Sequence, residues 1–232
     1  MEGGVFGGAV VLLVVGFVGL MVVLVVFSYL QAKKRREELA AFAASRGWTY
    51  AASDQRLVDR FEGAPFGRGD DRRATNVVYG HHADRPFVAF DYQYETTSGT
   101  GEDRRTTTHT YSVVCLALGV TVPSLSVSPE NVFGRFFGRL TNSDIELELE
   151  DFNRAFTVTS TDRKFASDVL HPQMMEMLLQ WPDLAWRLER DSILVFRTGR
   201  HAIPEIDGKL AVMDQILAAV PEFVWQSLGG RS

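Results

Sequence analysis

An uncharged apolar run near the N-terminus constrains this chain more than any other feature. No Asp, Glu, Lys or Arg occurs from Val5 to Leu30, and the polar residues Ser28 and Tyr29 lie at the end of the run. A helix of this length, rising about 1.5 Å per residue, exceeds the ~30 Å hydrocarbon core of a bilayer. Because lipid offers no hydrogen-bond partners, a lone span has to be helical. We therefore expect one transmembrane helix over residues 5–30, which tethers the remaining chain to the lipid bilayer.

The charges on either side of the run predict its orientation. No Lys or Arg precedes it, whereas the basic cluster Lys33–Arg36 follows at once. The positive-inside rule then places residues 1–4 outside and the large C-terminal part in the cytoplasm. A cleaved signal peptide is the alternative, but it needs a basic start, a shorter apolar core and a small-residue cleavage site, which Ser28-Tyr29-Leu30 does not provide. We expect an uncleaved single-pass protein of the cell membrane.

The basic cluster is predicted to lie on a helix that continues out of the membrane. Residues 31–46 are mostly good helix formers, and Gly47 is suited to end the helix. This basic juxtamembrane helix lies close to anionic headgroups, where each cation contributes about 1 kcal/mol of attraction. A role in setting topology alone is the simpler interpretation. The predicted membrane-surface contacts are Lys33, Lys34, Arg35 and Arg36.

The rest of the chain is acidic. Four of the 24 basic residues and one of the 29 acidic residues precede position 37, so 20 basic residues face 28 acidic residues in the remainder. Nucleic-acid binding relies on a basic face that neutralises phosphates, so we expect no nucleic-acid partner. The lone Cys115 excludes an intramolecular disulfide, fits a reducing compartment and is expected to be a buried apolar residue.

The periodicity after residue 47 predicts one α+β domain over residues 47–228. Consecutive strands joined by short turns indicate an antiparallel sheet with helices packed on one face, in the order strands, then ββα, then ββα. The predicted strands are Trp48–Tyr50, Thr75–Gly80, Pro86–Glu95, Arg104–Leu118, Leu125–Val127, Ser143–Glu150, Phe156–Thr159, and a hairpin of Trp186–Arg190 with Ser192–Thr198 about Asp191; the predicted helices are Gln55–Phe61, Phe165–Gln180 and Lys209–Val220.

The segment Val132–Leu140 (VFGRFFGRL) allows two interpretations. Its three phenylalanines and two arginines would suit an amphipathic segment resting on the membrane surface. The alternative is an interior connection whose phenylalanines fill the core. The short length between two glycines makes a weak helix and favours the second interpretation.

Candidate catalytic and metal sites are weak throughout the sequence. His81, His82 and Asp84 are the most metal-like cluster, but adjacent histidines on a strand point to opposite faces, and the segment is typical of a hairpin turn. There is no G-x-S-x-G nucleophile elbow, and the glycine-rich stretches lack the lysine of a P-loop or the strand–helix context of a dinucleotide fingerprint. We predict no catalytic residues, no cofactor and no metal site.

Several segments resemble a known but uncharacterised family. Asp151–Gln180 pairs an F…F-x-V strand with a helix that begins near L-x-P-x-x-M, here Leu170, Pro172 and Met175. The segments APFGRG, RPFVAFDYQY and WRLERDSILVF are similar in the same way. Together they resemble a bacterial, actinobacterial-type domain family of unknown function among membrane proteins, over about residues 45–228. The shared residues are packing residues, so the resemblance implies no activity and no functional residues.

Three classes of function remain open on the sequence. The first is a non-enzymatic interaction or scaffold module, with a protein partner or, through the spacing of Gly4 and Gly8, a second copy of the chain. It predicts an exposed apolar patch on the sheet face away from the helices. The second is a ligand-sensing domain with a pocket between sheet and helices. The third and least favoured is an enzyme, which requires clustered His, Asp or Cys side chains in such a pocket.

Overall fold

The structure, a computed structural model, describes residues 3–129, 145 and 147–229, without the side chains of residues 3–13 and Glu102. It confirms the α+β class, with an N-terminal helix, an antiparallel sheet and further helices. The elements are α1 Gly3–Ser45, β1 Thr49–Ser53, a 3-10 turn at Gln55–Leu57, β2 Asp70–His82, β3 Arg85–Ser98, a 3-10 turn at Gly101–Asp103, β4 Arg105–Pro129, α2 Glu150–Ala155, β5 Phe156–Ser160, α3 Arg163–Val169, α4 Pro172–Leu178, β6 Ala185–Thr198, α5 Glu205–Ala219 and α6 Glu222–Ser227.

Helix α1 is one unbroken helix of 43 residues, about 65 Å long. Within the described part of the chain it is the one helix long and apolar enough to cross a membrane. Its large apolar side chains from Val14 to Leu30 are exposed to the solvent, so no part of the domain covers them. The helix ends at Ser45, and Gly47 follows with a φ of +69°, the left-handed conformation common just after a helix.

The C-terminal half of α1 packs on the sheet. Leu39 and Ala43 are buried in the same cluster as side chains of β2 and β3. Trp48 continues the contact, with its ring edge-on to Phe87 at a centroid distance of 4.8 Å. Gly80 lies under this indole, since a Cβ there would be 2.4 Å from Trp48 Cδ1. The helix is therefore built into the domain core over its last three turns.

The sheet is six-stranded and antiparallel, and β4 is its longest strand. β1, β2, β3 and β4 follow one another in order, and both β5 and β6 pair with β4. The 25 residues of β4 bend at Gly119, whose φ is +75°. The part before the bend pairs with β3, the part after it pairs with β5, and β6 follows β4 on both sides of the bend.

The predicted hairpin of Trp186–Arg190 with Ser192–Thr198 is wrong. The two runs form one continuous strand, β6, which pairs with β4 along its length. Opposite the β4 bend, Ala117 pairs with Ser192 and Val122 pairs with Arg190, and Arg190 has a φ of +55°. A bulge interrupts the alternation in the way that a turn does, but the chain direction does not reverse.

The predicted helix Phe165–Gln180 is divided in two. α3 ends at Val169 and α4 begins at Pro172, because the proline ring disfavours a helical conformation in the residue before it. The predicted strand Ser143–Glu150 lies mostly outside the described residues, although Ile145 N–H donates to the Val158 carbonyl in β5 at 3.0 Å. The turn expected after that strand is helical and forms α2. Val132–Leu140 lies outside the described residues.

Both faces of the sheet are covered. The second half of α1 and helices α2 to α6 pack on one face. On the other face the segment 54–69 covers a mainly aromatic cluster, which includes Phe61, Phe66, Phe90, Tyr92, Tyr94, Tyr111 and Phe196. The exposed apolar patch expected on that face is therefore absent from the described part of the domain. The scaffold hypothesis predicted that patch, so this outcome counts against docking of a partner through an apolar surface on this face.

Candidate functional site

A cleft lies between α1 and the segment that connects β6 to α5. It has a volume of about 1010 Å³ and opens at the point where the apolar run of α1 ends. Its α1 wall begins at Ser28 and Tyr29 and continues to Glu38, and its other wall is formed by residues 200–204. The lining residues are Ser28, Tyr29, Gln31, Ala32, Lys34, Arg35, Glu38, Arg200, His201, Ala202, Ile203 and Pro204.

A buried carboxylate lies behind the cleft and connects its two walls. Asp91 in β3 is fully buried, and its Oδ2 accepts from Arg35 Nη2 at 2.9 Å and from Asn76 Nδ2 at 2.8 Å. Its Oδ1 accepts from the His201 backbone N–H at 2.9 Å. Burial raises the pKa of Asp91 from its ordinary value, while these donors oppose that rise. The carboxylate thus holds α1, β2 and the segment after β6 together.

His201 is a neutral acceptor in the wall of the cleft. Its ring is buried, and Nε2 lies 3.1 Å from the Phe90 carbonyl oxygen and 3.0 Å from that of Val113. Burial lowers the pKa of His201 to about 3, so the ring is neutral near pH 7. Because carbonyl oxygens only accept, the single ring proton is on Nε2. Nδ1 is then a buried acceptor, and it has no hydrogen-bond partner among the described residues.

The cleft is positively charged. Lys34 lines it from α1 and Arg200 from the opposite wall, against the carboxylate of Glu38 in the lining, while the charge of Arg35 is matched by that of Asp91. Lys34 Nζ is 3.7 Å from Glu38 Oε1, but both side chains are exposed, so this pair is weak. Arg35 Nε and His201 Nδ1 are buried without a partner in the described part of the structure. The arrangement suits an anion.

The structure separates the four basic residues predicted to contact the membrane surface. Lys33, Lys34 and Arg36 are exposed on α1, and the two lysines face Glu37 and Glu38 one turn later. The Arg35 side chain instead is only 24% exposed and is paired with the fully buried Asp91. Sequence analysis treated the four as equivalent and missed this pair. The usable signal was Asp91 itself, a charge in a strand of otherwise apolar and aromatic residues.

The residues weighed as a metal cluster lie at the β2–β3 turn. Ala83 and Asp84 have positive φ values of 47° and 63°, as expected for a tight hairpin turn. His82 Nε2 is 2.6 Å from Asp214 Oδ2 in α5, and His81 is exposed. In the part of the chain that the structure describes, no three His, Cys, Asp or Glu side chains come together as metal ligands do.

Cys115 is buried in β4, in agreement with the sequence interpretation. Only 2% of the residue is exposed, and it packs in the aromatic cluster under the segment 54–69. Burial raises the pKa of the Cys115 thiol to about 11, which disfavours the reactive thiolate.

A buried serine–lysine contact was missed by the sequence analysis. Lys209 Nζ is 2.6 Å from Ser112 Oγ and 3.0 Å from the Ser112 carbonyl oxygen. Burial lowers the pKa of Lys209 to about 8, and such a pair is known as a nucleophile and its base. Here Ser112 is fully buried, and neither residue lines the cleft. The contact joins α5 to the middle of β4, which is a structural role.

A second cavity lies at the opposite end of the helical face. It has a volume of about 720 Å³ and is enclosed by the β2–β3 turn, the β4 bend, α5 and α6. Its wall is mixed: Leu118, Val120, Leu217 and Trp225 contribute apolar surface, and Arg85 and Asp214 contribute polar groups. This is the place between sheet and helices where the ligand-sensing hypothesis expects a pocket.

Residues 119–200, from the β4 bend past the end of β6, match the model of a family described as Protein of unknown function (DUF3137). The chain is thus similar to an uncharacterised bacterial family. This outcome confirms the resemblance seen in the sequence.

The fold is similar to the crystal structure of the mycobacterial trehalose monomycolate transport factor A, TtfA, with a TM-score of 0.58 and 17% identity over 80% of this chain and 96% of that one. At this identity the likeness is one of fold. No curated protein matches the sequence.

Proposed function

We propose that the protein is a non-enzymatic accessory factor, anchored in the cell membrane by α1, whose cytoplasmic domain docks a membrane-embedded partner. The observation that carries this proposal is the rigid connection between membrane helix and domain. α1 runs without a break from its exposed apolar part into the domain core, where Leu39 and Ala43 are buried and Arg35 is paired with Asp91.

A rigid connection limits where the domain can act. A flexible linker would let the domain search a large volume, whereas a continuous helix holds it at one height and angle above the bilayer. A partner that is itself in the membrane then meets a preorganised surface, which lowers the entropic cost of binding. A soluble partner gains little from this restriction.

The similar fold of TtfA supports the class of function. That protein is named a transport factor for trehalose monomycolate. We extend to this chain the general role, an accessory factor in the movement of a membrane lipid, and not the identity of the cargo.

The basic residues that follow the apolar run support a cytoplasmic domain. In a Cys115→Ala background, Thr100→Cys lies on an exposed turn of the domain and Glu2→Cys precedes the span. A membrane-impermeant maleimide should label Glu2→Cys in intact cells and Thr100→Cys only after permeabilisation. Labelling of Thr100→Cys in intact cells would reverse the orientation.

Partner docking is tested by photocrosslinking in living cells, with the crosslinker at exposed positions of the domain. A Gly-Gly-Ser insertion between Gln31 and Ala32 should uncouple the domain and abolish the crosslinks formed by the wild type. The same insertion between Ala83 and Asp84, in the exposed hairpin turn, is the control and should retain them. Equal crosslinking by both insertions, or recovery of the bait alone from the wild type, would contradict the proposal.

Ligand sensing is the second candidate function, favoured by the 720 Å³ cavity beside α5 and α6. Its test is native mass spectrometry of protein purified in mild detergent. A small molecule that co-purifies with the wild type and is lost from the cavity-filling variant Ala218→Trp would support it. An identical spectrum for both proteins would count against it.

A further inference from the structure

We infer that the cleft between α1 and residues 200–204 binds the phosphate of an anionic membrane lipid. This inference rests on the proposed placement of α1 in a bilayer. It adds a ligand class and a site to the proposed function.

With α1 in a bilayer, the cleft lies at the level of the lipid headgroups. The apolar run ends at Leu30, and Arg35 lies five residues further along the helix, about 8 Å away. The polar layer on each side of a bilayer is about 5–8 Å thick. The wall from Ser28 to Arg35 therefore crosses this layer, and a lipid can reach the cleft sideways while its acyl chains stay beside the exposed apolar residues of α1.

The cations of the cleft suit a phosphate. Lys34 and Arg200 approach from opposite walls with exposed side chains. Arg35 lines the cleft between them, with one terminal nitrogen bound to Asp91. Asp91 itself already accepts three hydrogen bonds, and its charge is matched by that of Arg35. Glu38 is the single carboxylate in the lining.

The charge of the cleft also favours one class of lipid. The choline headgroup carries a positive charge of its own beside its phosphate, which the cations of the cleft repel. An anionic lipid such as phosphatidylglycerol carries no such charge.

The test uses the full-length protein in nanodiscs of phosphatidylcholine, titrated with phosphatidylglycerol or with soluble glycerol 3-phosphate, with bound lipid or anion counted by native mass spectrometry. Phosphatidylglycerol should bind at least about tenfold more tightly than glycerol 3-phosphate, because its acyl chains hold the phosphate in the bilayer at the height of the cleft and raise its effective concentration there. Equal binding of glycerol 3-phosphate would overturn the assignment to a lipid.

Matched variants separate the cleft from general attraction to anionic lipid. The variant Lys34→Gln with Arg200→Gln should weaken phosphatidylglycerol binding by about tenfold or more. The control, Lys33→Gln with Arg163→Gln, removes two exposed cations that do not line the cleft and should weaken it by less than about twofold. Equal weakening in both would overturn the site. Purified protein and defined lipids suffice here, so a negative result leaves the photocrosslinking test of partner docking unaffected.

Discussion

The contact between Arg35 and Asp91 is the single interaction on which the position of the domain depends most. A buried carboxylate is tolerated only while its charge is paired and its oxygens are hydrogen-bonded. Asp91 has both. Two of its three donors lie outside the neighbouring strands: the Arg35 side chain of α1 and the backbone N–H of His201. Loss of any one of them leaves a charge in the core that the others only partly compensate.

Removal of the Arg35 side chain should therefore destabilise the folded protein. We expect Arg35→Ala to lower the free energy of unfolding by about 3 kcal/mol, because it leaves a buried charge unpaired. Lys33→Ala removes a neighbouring cation whose pair with Glu37 is exposed and should cost less than about 0.5 kcal/mol. Denaturant titration of both variants in detergent gives the two values. Similar small losses would mean that the ion pair does not hold the helix in place.

Lys209 predicts a specific dependence of stability on pH. Its folded pKa is about 8 against 10.5 for the free side chain, so between these values the unfolded chain binds more protons and stability rises with pH. From pH 8 to 9 the unfolding free energy of the wild type should rise by about 1 kcal/mol relative to Lys209→Met. Denaturant titrations of both proteins at the two pH values measure this difference. A difference that stays constant, or falls, would contradict the shift.

At this scale the sequence revealed individual residues but not their partners. Asp91 is recognisable as a charge within an apolar strand, yet Arg35 lies 56 positions away and Lys209 lies 97 positions from Ser112. Nothing local determines such contacts, because they depend on how helices and sheet pack. The uncharged span and the buried Cys115 were accessible because hydrophobic patterning is local.

At the scale of the elements, the packing at the end of α1 depends on a glycine, Gly80 in β2. The end of the helix is covered by Trp48, which rests against Gly80 and Phe87. The space at Gly80 is filled completely, and a side chain there would have to displace an aromatic ring on either side.

Gly80→Ala should be destabilising by about 1–3 kcal/mol, because its Cβ would lie 2.4 Å from Trp48 Cδ1 and 2.6 Å from Phe87 Cε1. Gly208→Ala is the matched control. Gly208 is inside α5 with nothing within 4 Å of the added carbon, so helix propensity alone should stabilise the protein by up to about 1 kcal/mol. Thermal unfolding followed by circular dichroism shows the sign of each change. A neutral Gly80→Ala variant would mean that Trp48 is free to move.

The two errors at the level of elements have one physical cause. A bulge, as at Arg190, and a turn both interrupt the alternation of a strand in the same way. A proline such as Pro172 is compatible with the first turn of any helix, so the pattern does not show whether it continues one helix or begins a second. Sequence periodicity records where a pattern stops. Whether the chain reverses there depends on pairing with β4, which the pattern does not contain.

At the scale of the whole molecule, a domain is built onto the end of one long helix whose first part is apolar. The α+β class, the helical cover on one sheet face and the helix break after Ser45 all followed from local pattern. The cover on the second face by residues 54–69 did not, because that segment is mostly irregular and packs through scattered aromatic residues. The cleft was not predictable from the sequence, since the nearest residues of its two walls, Glu38 and Arg200, are 162 positions apart in the chain (200 − 38) and meet only because α1 is docked on the sheet.

The central claim, that the domain and the apolar part of α1 move as one body, is tested directly by electron–electron resonance between two spin labels in nanodiscs. In a Cys115→Ala background, one label replaces exposed Gly19 in the apolar part of α1 and the other replaces exposed Glu176 in α4. We expect one narrow distance distribution for this pair and a broad one after Gly-Gly-Ser is inserted between Gln31 and Ala32. A distribution that is already broad without the insertion would show that the domain swings freely on its helix, and the account would be wrong.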